Sequence, residues 1–497
     1  MSTLNRRMAT GAVWMVLLRF AERAIGLVST IILARILIPA DFGLVAMAMS
    51  IYAAAEILTT FSFDIALIQN RDAEREHFNT AWTFNIIFGA AIMLLMIAVA
   101  YPAANFYADP RVAAVMSWLG LGAFIRGFEN IGVIYFQKDL NLRKEFELGL
   151  ARKVVGFAVT VSIAILYENY WALVVGTIAQ RIFGVGMSYA IHPYRPRLSM
   201  SKASELFGFG KWLAINNLLI FLNHRVPEIF IGRQLGSDSL GLFNVSYEVA
   251  NLPTTELVFP LGRAVFPGYS AMANDASALR NAYLRVLGII VFLTMPIAVG
   301  TFLLAEPLVI SLLGEKWRSA IPLIQILSAF GFIRAILSNS GSVYIALGAP
   351  RLTTYMSIYY LGILVPTMWL CVKHWHVQGA AYAVLLAAIC QTPIALLVAF
   401  RMVGASLGSF LKLTIRPLIA TAGMYLCLYS TLAQSAMASL PPPLQLLIGS
   451  LVGFIVYTSI VLIIWACRGR PAGAEQDLLP MIIPTRFRIG FLRELRQ

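Results

Sequence analysis

The stretch WMVLLRFAERAIGLVSTIILARILIPADFGL, Trp14 to Leu44, is a long apolar run that carries Arg19, Glu22 and Arg23 and closes on a turn at Pro39. At an offset of 198 residues the chain repeats it. Trp212, Arg233, Leu235, Gly241 and Leu242 correspond to Trp14, Arg35, Leu37, Gly43 and Leu44. Where the first copy has its charges, the second has Asn216, Asn217, Asn223, His224, Arg225 and Glu228. A polar-bearing apolar helix, its exit turn and the start of the next helix thus occur twice, in the same order.

Composition decides the solvent. Hydrophobic residues make up 59% of the 497, charged residues 12%, and the mean hydropathy is +0.77, against roughly 45–50% and about 25% in soluble domains. This is a polytopic, all-α membrane protein. Arg6 and Arg7 precede the first apolar run as in a signal peptide, but the run is too long and is interrupted by charge, so it is read as a retained span. Cys371, Cys390, Cys427 and Cys467 lie in or beside apolar segments with no CxxC spacing, which suggests neither a metal site nor a disulfide framework. The net charge of +14 reflects basic cytoplasmic loops rather than nucleic acid.

Segments of membrane-spanning length fall at about 12–37, 42–63, 80–104, 112–136, 146–166, 170–191, 209–232, 241–271, 283–305, 320–347, 352–372, 379–400, 413–432 and 444–466. Pro253, Pro260 and Pro267 predict a kinked or broken eighth segment. Fourteen spans place both termini on one side. That side collects 23 Lys and Arg, from Arg6 to Arg496, and the other only Arg35, Arg111, Arg233, Lys316, Arg318 and Lys373. The positive-inside rule then puts both termini in the cytoplasm. The repeat also extends beyond its opening helix, because Phe124-Ile125-Arg126 returns as Phe332-Ile333-Arg334. The expected organisation is a six-helix bundle over 1–195, a second over 196–405 repeating it, two further helices over 406–467 and a basic tail over 468–497. Doubled architecture of this kind is a common transporter plan.

Charge inside a membrane helix marks function or pairing. Arg19 with Glu22, Arg126 with Glu129 and Arg225 with Glu228 are spaced i,i+3, which places each pair on one helix face as a candidate ion pair. Arg23 lies a turn from Arg19 without a spare acid, and Arg181, Arg263 and Arg334 have no acid within a turn. Uncompensated arginines in an apolar wall suit a visiting anion, phosphate above all. Glu248, Glu256 and Arg263, spaced eight and seven apart, share one face of the eighth segment as a stripe lining a cavity or meeting the opposite half, while Arg152 and Lys153 are expected to snorkel to the cytoplasmic surface. Asn85, Asn216, Asn217 and Asn223 offer hydrogen bonds to sugars or to neighbouring helices. No phosphate-binding Gly-rich loop, HExxH or nucleophile elbow occurs, so nothing points to an ATPase or hydrolase.

Several stretches resemble the polysaccharide flippases of the multidrug/oligosaccharidyl-lipid/polysaccharide exporter superfamily. They are Leu-Ala-Arg-Ile-Leu-Ile-Pro-Ala-Asp-Phe-Gly-Leu (33–44), Ala-Leu-Ile-Gln (66–69), Asn-Thr-Ala-Trp (79–82), Ile-Gly-Arg-Gln-Leu-Gly (231–236), Leu-Gly-Leu-Phe-Asn (240–244), Ala-Glu-Pro-Leu-Val (305–309), Leu-Gly-Glu-Lys-Trp (313–317) and Ala-Leu-Gly-Ala-Pro-Arg (346–351). No one of them is specific; their order and spacing together are. The resemblance implies two bundles around a cationic cavity, working by alternating access. It implies an undecaprenyl-diphosphate-linked saccharide moved from the cytoplasmic to the periplasmic leaflet of the inner membrane, for O-antigen, exopolysaccharide or capsule.

On that basis Arg19, Arg23 and Arg263 are expected to hold the diphosphate, with Arg126 and Arg225 as helpers. Arg181, Arg334, Asn217 and Asn223 complete the substrate-binding set. Glu22, Glu56, Glu129, Glu228 and Glu256 are ion-pair or ion-coupling candidates; Glu56 has no base a turn away. Neither cofactor nor metal is implied, and whether Na+ or H+ couples is open. Partners are membrane lipid and the polymerase and chain-length proteins of the pathway. The rival readings are a drug/cation antiporter or a lipid II-type flippase of the same superfamily, and, from another class, a membrane glycan polymerase or glycosyltransferase. The antiporter would present acids and aromatics without surplus arginines. The polymerase would need a large external catalytic loop, and every loop here is short.

Overall fold

The computed structural model describes residues 2–59, 67–68 and 73–467, with side chains left aside at 2–6, 9, 58–59, 204–220, 224, 263 and 436. The basic tail over 468–497 lies outside the described residues. The described chain is all helix and turn, with no strand. In order come α1 (Ser2–Ile36), α2 (Pro39–Thr59), α3 (Arg75–Tyr107), α4 (Arg111–Gly127), the short α5 (Ile134–Lys138), α6 (Leu142–Tyr167), α7 (Trp171–Ile191) and α8 (Ala203–Pro253). A π-turn (Thr254–Val258) leads into α9 (Phe259–Ala271), followed by α10 (Ala276–Leu303), the short α11 (Ala305–Leu308), α12 (Ile321–Ala346), α13 (Arg351–Val403), α14 (Leu407–Leu432), the short α15 (Ser435–Ala438) and α16 (Pro442–Cys467).

Among the described residues nine helices are long and apolar enough to cross a membrane, or ten if the α4–α5 pair, bent by 64°, is one span. This is fewer than the fourteen expected from sequence, for a physical reason. α1 carries too much charge to qualify by composition. α13 holds two expected spans but counts once, because the chain passes from one to the other through Trp375 and His376 with only a local break. α8, which is not among the nine, joins two segments across Gly236, whose φ of 82° lies in a region glycine tolerates without strain.

The chain packs as two compact units, Met1–Asn244 and Val245–Gln497. Within the first, Gly43 and Gly241, mates in the repeat, make a reciprocal contact. A Cβ on Gly43 would collide with the Ser237 carbonyl oxygen, and one on Gly241 with the Pro39 carbonyl oxygen. Ser237 is Pro39 shifted by the same 198 residues, so the crossing obeys the two-fold logic of an isologous contact. Helices in lipid have little hydrophobic drive toward each other, and close backbone approach supplies the packing instead.

The link between repeats is strapped to the same unit. The Tyr194 hydroxyl and the Arg197 amide both donate to Asn79 Oδ1, at 2.9 and 3.0 Å. The Ser199 amide donates to Thr83 Oγ1 at 2.9 Å, and Asn130 Nδ2 donates to the Tyr194 carbonyl at 2.8 Å. The Asn-Thr-Ala-Trp motif at 79–82 therefore has a structural task at the mouth of α3. His192 accepts the Tyr194 amide at 3.1 Å through Nδ1, and its ring lies parallel to Tyr135, centroids 5.7 Å apart. Burial, reinforced by Arg195, holds the imidazole pKa below its ordinary value, with Asp139 opposing. The second unit is built around Tyr283, Leu287, Val343, Tyr344, Ala399 and Phe400, all buried at the meeting of α10, α12 and α13.

Candidate functional site

In the first unit the intramembrane charges sit on α1, α2, α4 and the turn after it, α6, α7 and α8, and several of them pair differently from their sequence spacing. Arg126 and Glu129 do not pair. α4 stops at Gly127, with Phe128 as its C-cap, so Glu129 is no longer on the helix whose geometry would bring it to Arg126. Arg126 reaches instead to Glu56 of α2 at 2.9 Å, and Glu129 receives Arg152 of α6 at 2.9 Å. Arg152 is thus no snorkelling surface residue. It stands ten residues into α6, roughly 15 Å along the axis, where a carboxylate across the helix interface is the nearer solvation.

The Arg225–Glu228 pair does form, at 2.6 Å, despite Pro227 between them. The fully buried Ser50 of α2 adds a second donor to the same carboxylate oxygen at 2.7 Å. Ser50 carries no signal in the sequence beyond being a serine in an apolar run. The Arg19–Glu22 pair is not made among the described residues. Arg19 is exposed, Glu22 is half-buried, and Arg23 is half-buried one turn further on. Asn223 Oδ1 is buried without a hydrogen-bond partner among the described residues. The side chain of Asn217 lies outside the described residues.

The three ion pairs engage Arg126, Arg152 and Arg225, and Arg181 takes part in none of them. It donates to the Leu119 carbonyl at 3.2 Å and lies over the Tyr52 ring, 4.9 Å from its centre. Both partners are neutral. They solvate the cation and leave its charge uncompensated. The pair at Arg126 and Glu56 is itself open, with 59% and 40% of the side chains exposed. At membrane depth such exposure is economical only toward water or a polar ligand.

The second unit holds Arg334, the repeat mate of Arg126. It lies at the middle of α12 and donates to the Tyr247 hydroxyl at 2.8 Å and to Asn251 Oδ1 at 3.4 Å. No carboxylate lies within ion-pair distance of it among the described residues. Glu248 and Glu256 are exposed. The π-turn, which holds Glu256 and lies between Glu248 and Arg263, winds more residues per turn than an α-helix, so the single face expected from spacings of eight and seven does not carry through it. The side chain of Arg263 lies outside the described residues. Tyr247, Asn251 and Phe259 have no counterpart among the candidates read from sequence, because nothing in their spacing announces that a kink and a π-turn aim them at one arginine.

Long apolar helices with a charged, partly uncompensated interior define a multi-pass membrane protein of transporter architecture. The family described as "Polysaccharide biosynthesis protein" matches residues 32–322. The chain belongs to that family. The lipopolysaccharide biosynthesis protein WzxC of Escherichia coli (strain K12) is 24% identical over 374 residues, covering 74% of this chain and 75% of that relative. The succinoglycan biosynthesis transport protein ExoT of Rhizobium meliloti (strain 1021) is 23% identical over 481 residues, covering 93% and 94%. Among solved structures, the lipid II flippase MurJ in an inward closed conformation superposes with a TM-score of 0.72 at 14% identity, over 91% of this chain and 99% of that one. The last likeness is one of fold.

Proposed function

We propose that the protein is a flippase, not an enzyme, and that it carries undecaprenyl-diphosphate-linked oligosaccharide repeat units from the cytoplasmic to the periplasmic leaflet by alternating access. It would sit in the bacterial inner membrane with both termini in the cytoplasm and serve surface polysaccharide assembly alongside a polymerase and chain-length proteins. The observation that carries the reading is the pair of mid-membrane arginines, Arg181 and Arg334, whose partners among the described residues are all neutral. A cation costs roughly 2.5–3.5 kcal/mol at the bilayer centre, a cost that an anionic cargo offsets each time it binds.

In this reading Arg19 and Arg23 of the first unit contact the diphosphate. Arg126 and Arg225 are held by Glu56 and Glu228 and exchange those partners for the cargo. A coupling ion, Na+ or H+, would act at Glu56 by competing with Arg126 for the carboxylate. The relatives' names support the pathway: one is a lipopolysaccharide biosynthesis protein, another a succinoglycan transport protein. A drug/cation antiporter is the second reading of the fold, and the surplus of arginine over acid disfavours it.

A deletion strain tests the proposal. Surface polysaccharide and the undecaprenyl-diphosphate-linked saccharide pool are quantified, then the strain is complemented with wild type and with Arg23→Ala. Loss of surface polymer, accumulation of the lipid-linked pool and rescue by wild type alone support the flippase. Unchanged pools, in a strain with no second gene of this family, overturn it and make drug efflux the next measurement.

A further inference from the structure

Arg334 is the fourteenth of the 26 residues of α12, close to the bilayer centre. Its guanidinium lies 5.8 Å from the centre of the Tyr247 ring and 5.4 Å from that of Phe259. One terminal nitrogen, NH1, makes both hydrogen bonds, to the Tyr247 hydroxyl and to Asn251 Oδ1. The remaining edge of the fork, Nε and NH2, has no partner among the described residues. Asn251 is 2% exposed and commits its Nδ2 to the Tyr247 carbonyl at 2.9 Å, which fixes its oxygen toward the arginine. Phe259 is 37% exposed, so the cation is flanked by an aromatic face that is partly open.

This arrangement solvates one positive charge with neutral groups and leaves the two-pronged edge available. A planar guanidinium edge matches a single carboxylate bidentately. A diphosphate carries more charge than one arginine balances. An open aromatic face beside the cation offers the C–H face of a sugar ring an apolar surface, while the tyrosine hydroxyl supplies a polar contact. The combination fits a carbohydrate bearing one acid group.

We propose that Arg334, Tyr247, Asn251 and Phe259 form a subsite for the carboxylate of an acidic sugar in the translocated saccharide. The proposal rests on the flippase reading and narrows its substrate class to acidic repeat units. Arg334 pairs with the carboxylate, Asn251 and Tyr247 hold the fork in place, and Phe259 stacks on the sugar ring.

The test uses the full chain in lipid nanodiscs and three probes: a tetrasaccharide with one uronic acid, its carboxyl-reduced neutral counterpart, and undecaprenyl diphosphate. Wild type is expected to bind the acidic tetrasaccharide at least about tenfold more tightly than the neutral one, the order of a charge-assisted hydrogen bond. Arg334→Gln should erase that difference while leaving undecaprenyl diphosphate binding within about twofold. Arg334→Lys should fall between. Should Arg334→Gln fail to fold, Asn251→Asp, which sets a permanent carboxylate beside the arginine, must erase the same difference. No discrimination by wild type, or discrimination that survives both variants, overturns the proposal. A parallel loss of undecaprenyl diphosphate binding also overturns it, because the anion served would then be the phosphate. Failure of the flippase reading shows separately, as wild type that binds no undecaprenyl diphosphate together with an unchanged lipid-linked pool in the deletion strain.

Discussion

Arg126 and Arg334 each end a Phe-Ile-Arg motif, one in each repeat. Around Arg126 the helix stops one residue later, the chain bends, and the guanidinium crosses to Glu56 at 2.9 Å. Around Arg334 the helix runs on to Ala346, and the partners are a tyrosine and an asparagine from the far limb of α8 and the phenylalanine that opens α9 after the π-turn. Duplication placed the same cation in both units. The neighbouring elements then made one an ion pair and left the other with neutral partners. The lesson is that an inherited motif specifies where a charge lies along its helix, whereas its availability to a ligand is set by what the adjoining helices present.

The repeat symmetry itself breaks most visibly at its crossing point. Gly43→Val and Gly241→Val should each abolish accumulation of folded protein, measured by size-exclusion profile after extraction. The obstacle at both sites is backbone, which cannot move aside as a side chain would, and overpacking costs about 1–3 kcal/mol or more even where side chains can yield. Tolerance of one variant but not the other would contradict the reciprocal contact.

Next in size is a change that makes the second unit resemble the first. Asn251→Asp places an acid on Arg334 and should cut polysaccharide export at least about tenfold, with the thermal midpoint unchanged or raised, since it adds a charge partner. Retained export would mean that the neutral surroundings of Arg334 have no functional weight. The converse change, Glu56→Ala, strips Arg126 of its carboxylate. Because that pair is well exposed, the expected loss is only about 1 kcal/mol of stability, and Glu56→Ala with Arg126→Ala should recover most of it in a double-mutant cycle.

The smallest effect concerns the strap between the repeats. Burial and Arg195 lower the His192 pKa in the folded chain, so folding favours the neutral ring. That contribution is present above the unfolded value, near 6.5, and is lost as pH falls through the lower folded value. The melting temperature of wild type should therefore fall on moving from pH 8 to pH 5 by more than that of His192→Asn, whose side-chain oxygen keeps an acceptor for the Tyr194 amide without a titrating ring. Equal shifts would remove His192 from the strap's pH response.

Sequence spacing was a sound guide where helices are continuous and a poor one where they end. Arg225 and Glu228 pair as their i,i+3 spacing predicts, since α8 is helical through both. Arg126 and Glu129 share the spacing and do not pair, because the helix terminates between them. Arg152 lies near a loop in the sequence, which predicts a surface position, yet its partner, Glu129, comes from another element. Glu56 looked solitary along its own helix and is bound across the interface.

By itself the sequence determined that the chain lives in a membrane, that it is built of helices, that it repeats at 198 residues and that its helices carry more arginine than acid. These follow from composition and periodicity, which are properties of one strand of chain. Only the tertiary structure decided which charges neutralise each other and which remain available. Pairing depends on distances between helices, and those are set by where each helix stops, kinks or meets a glycine.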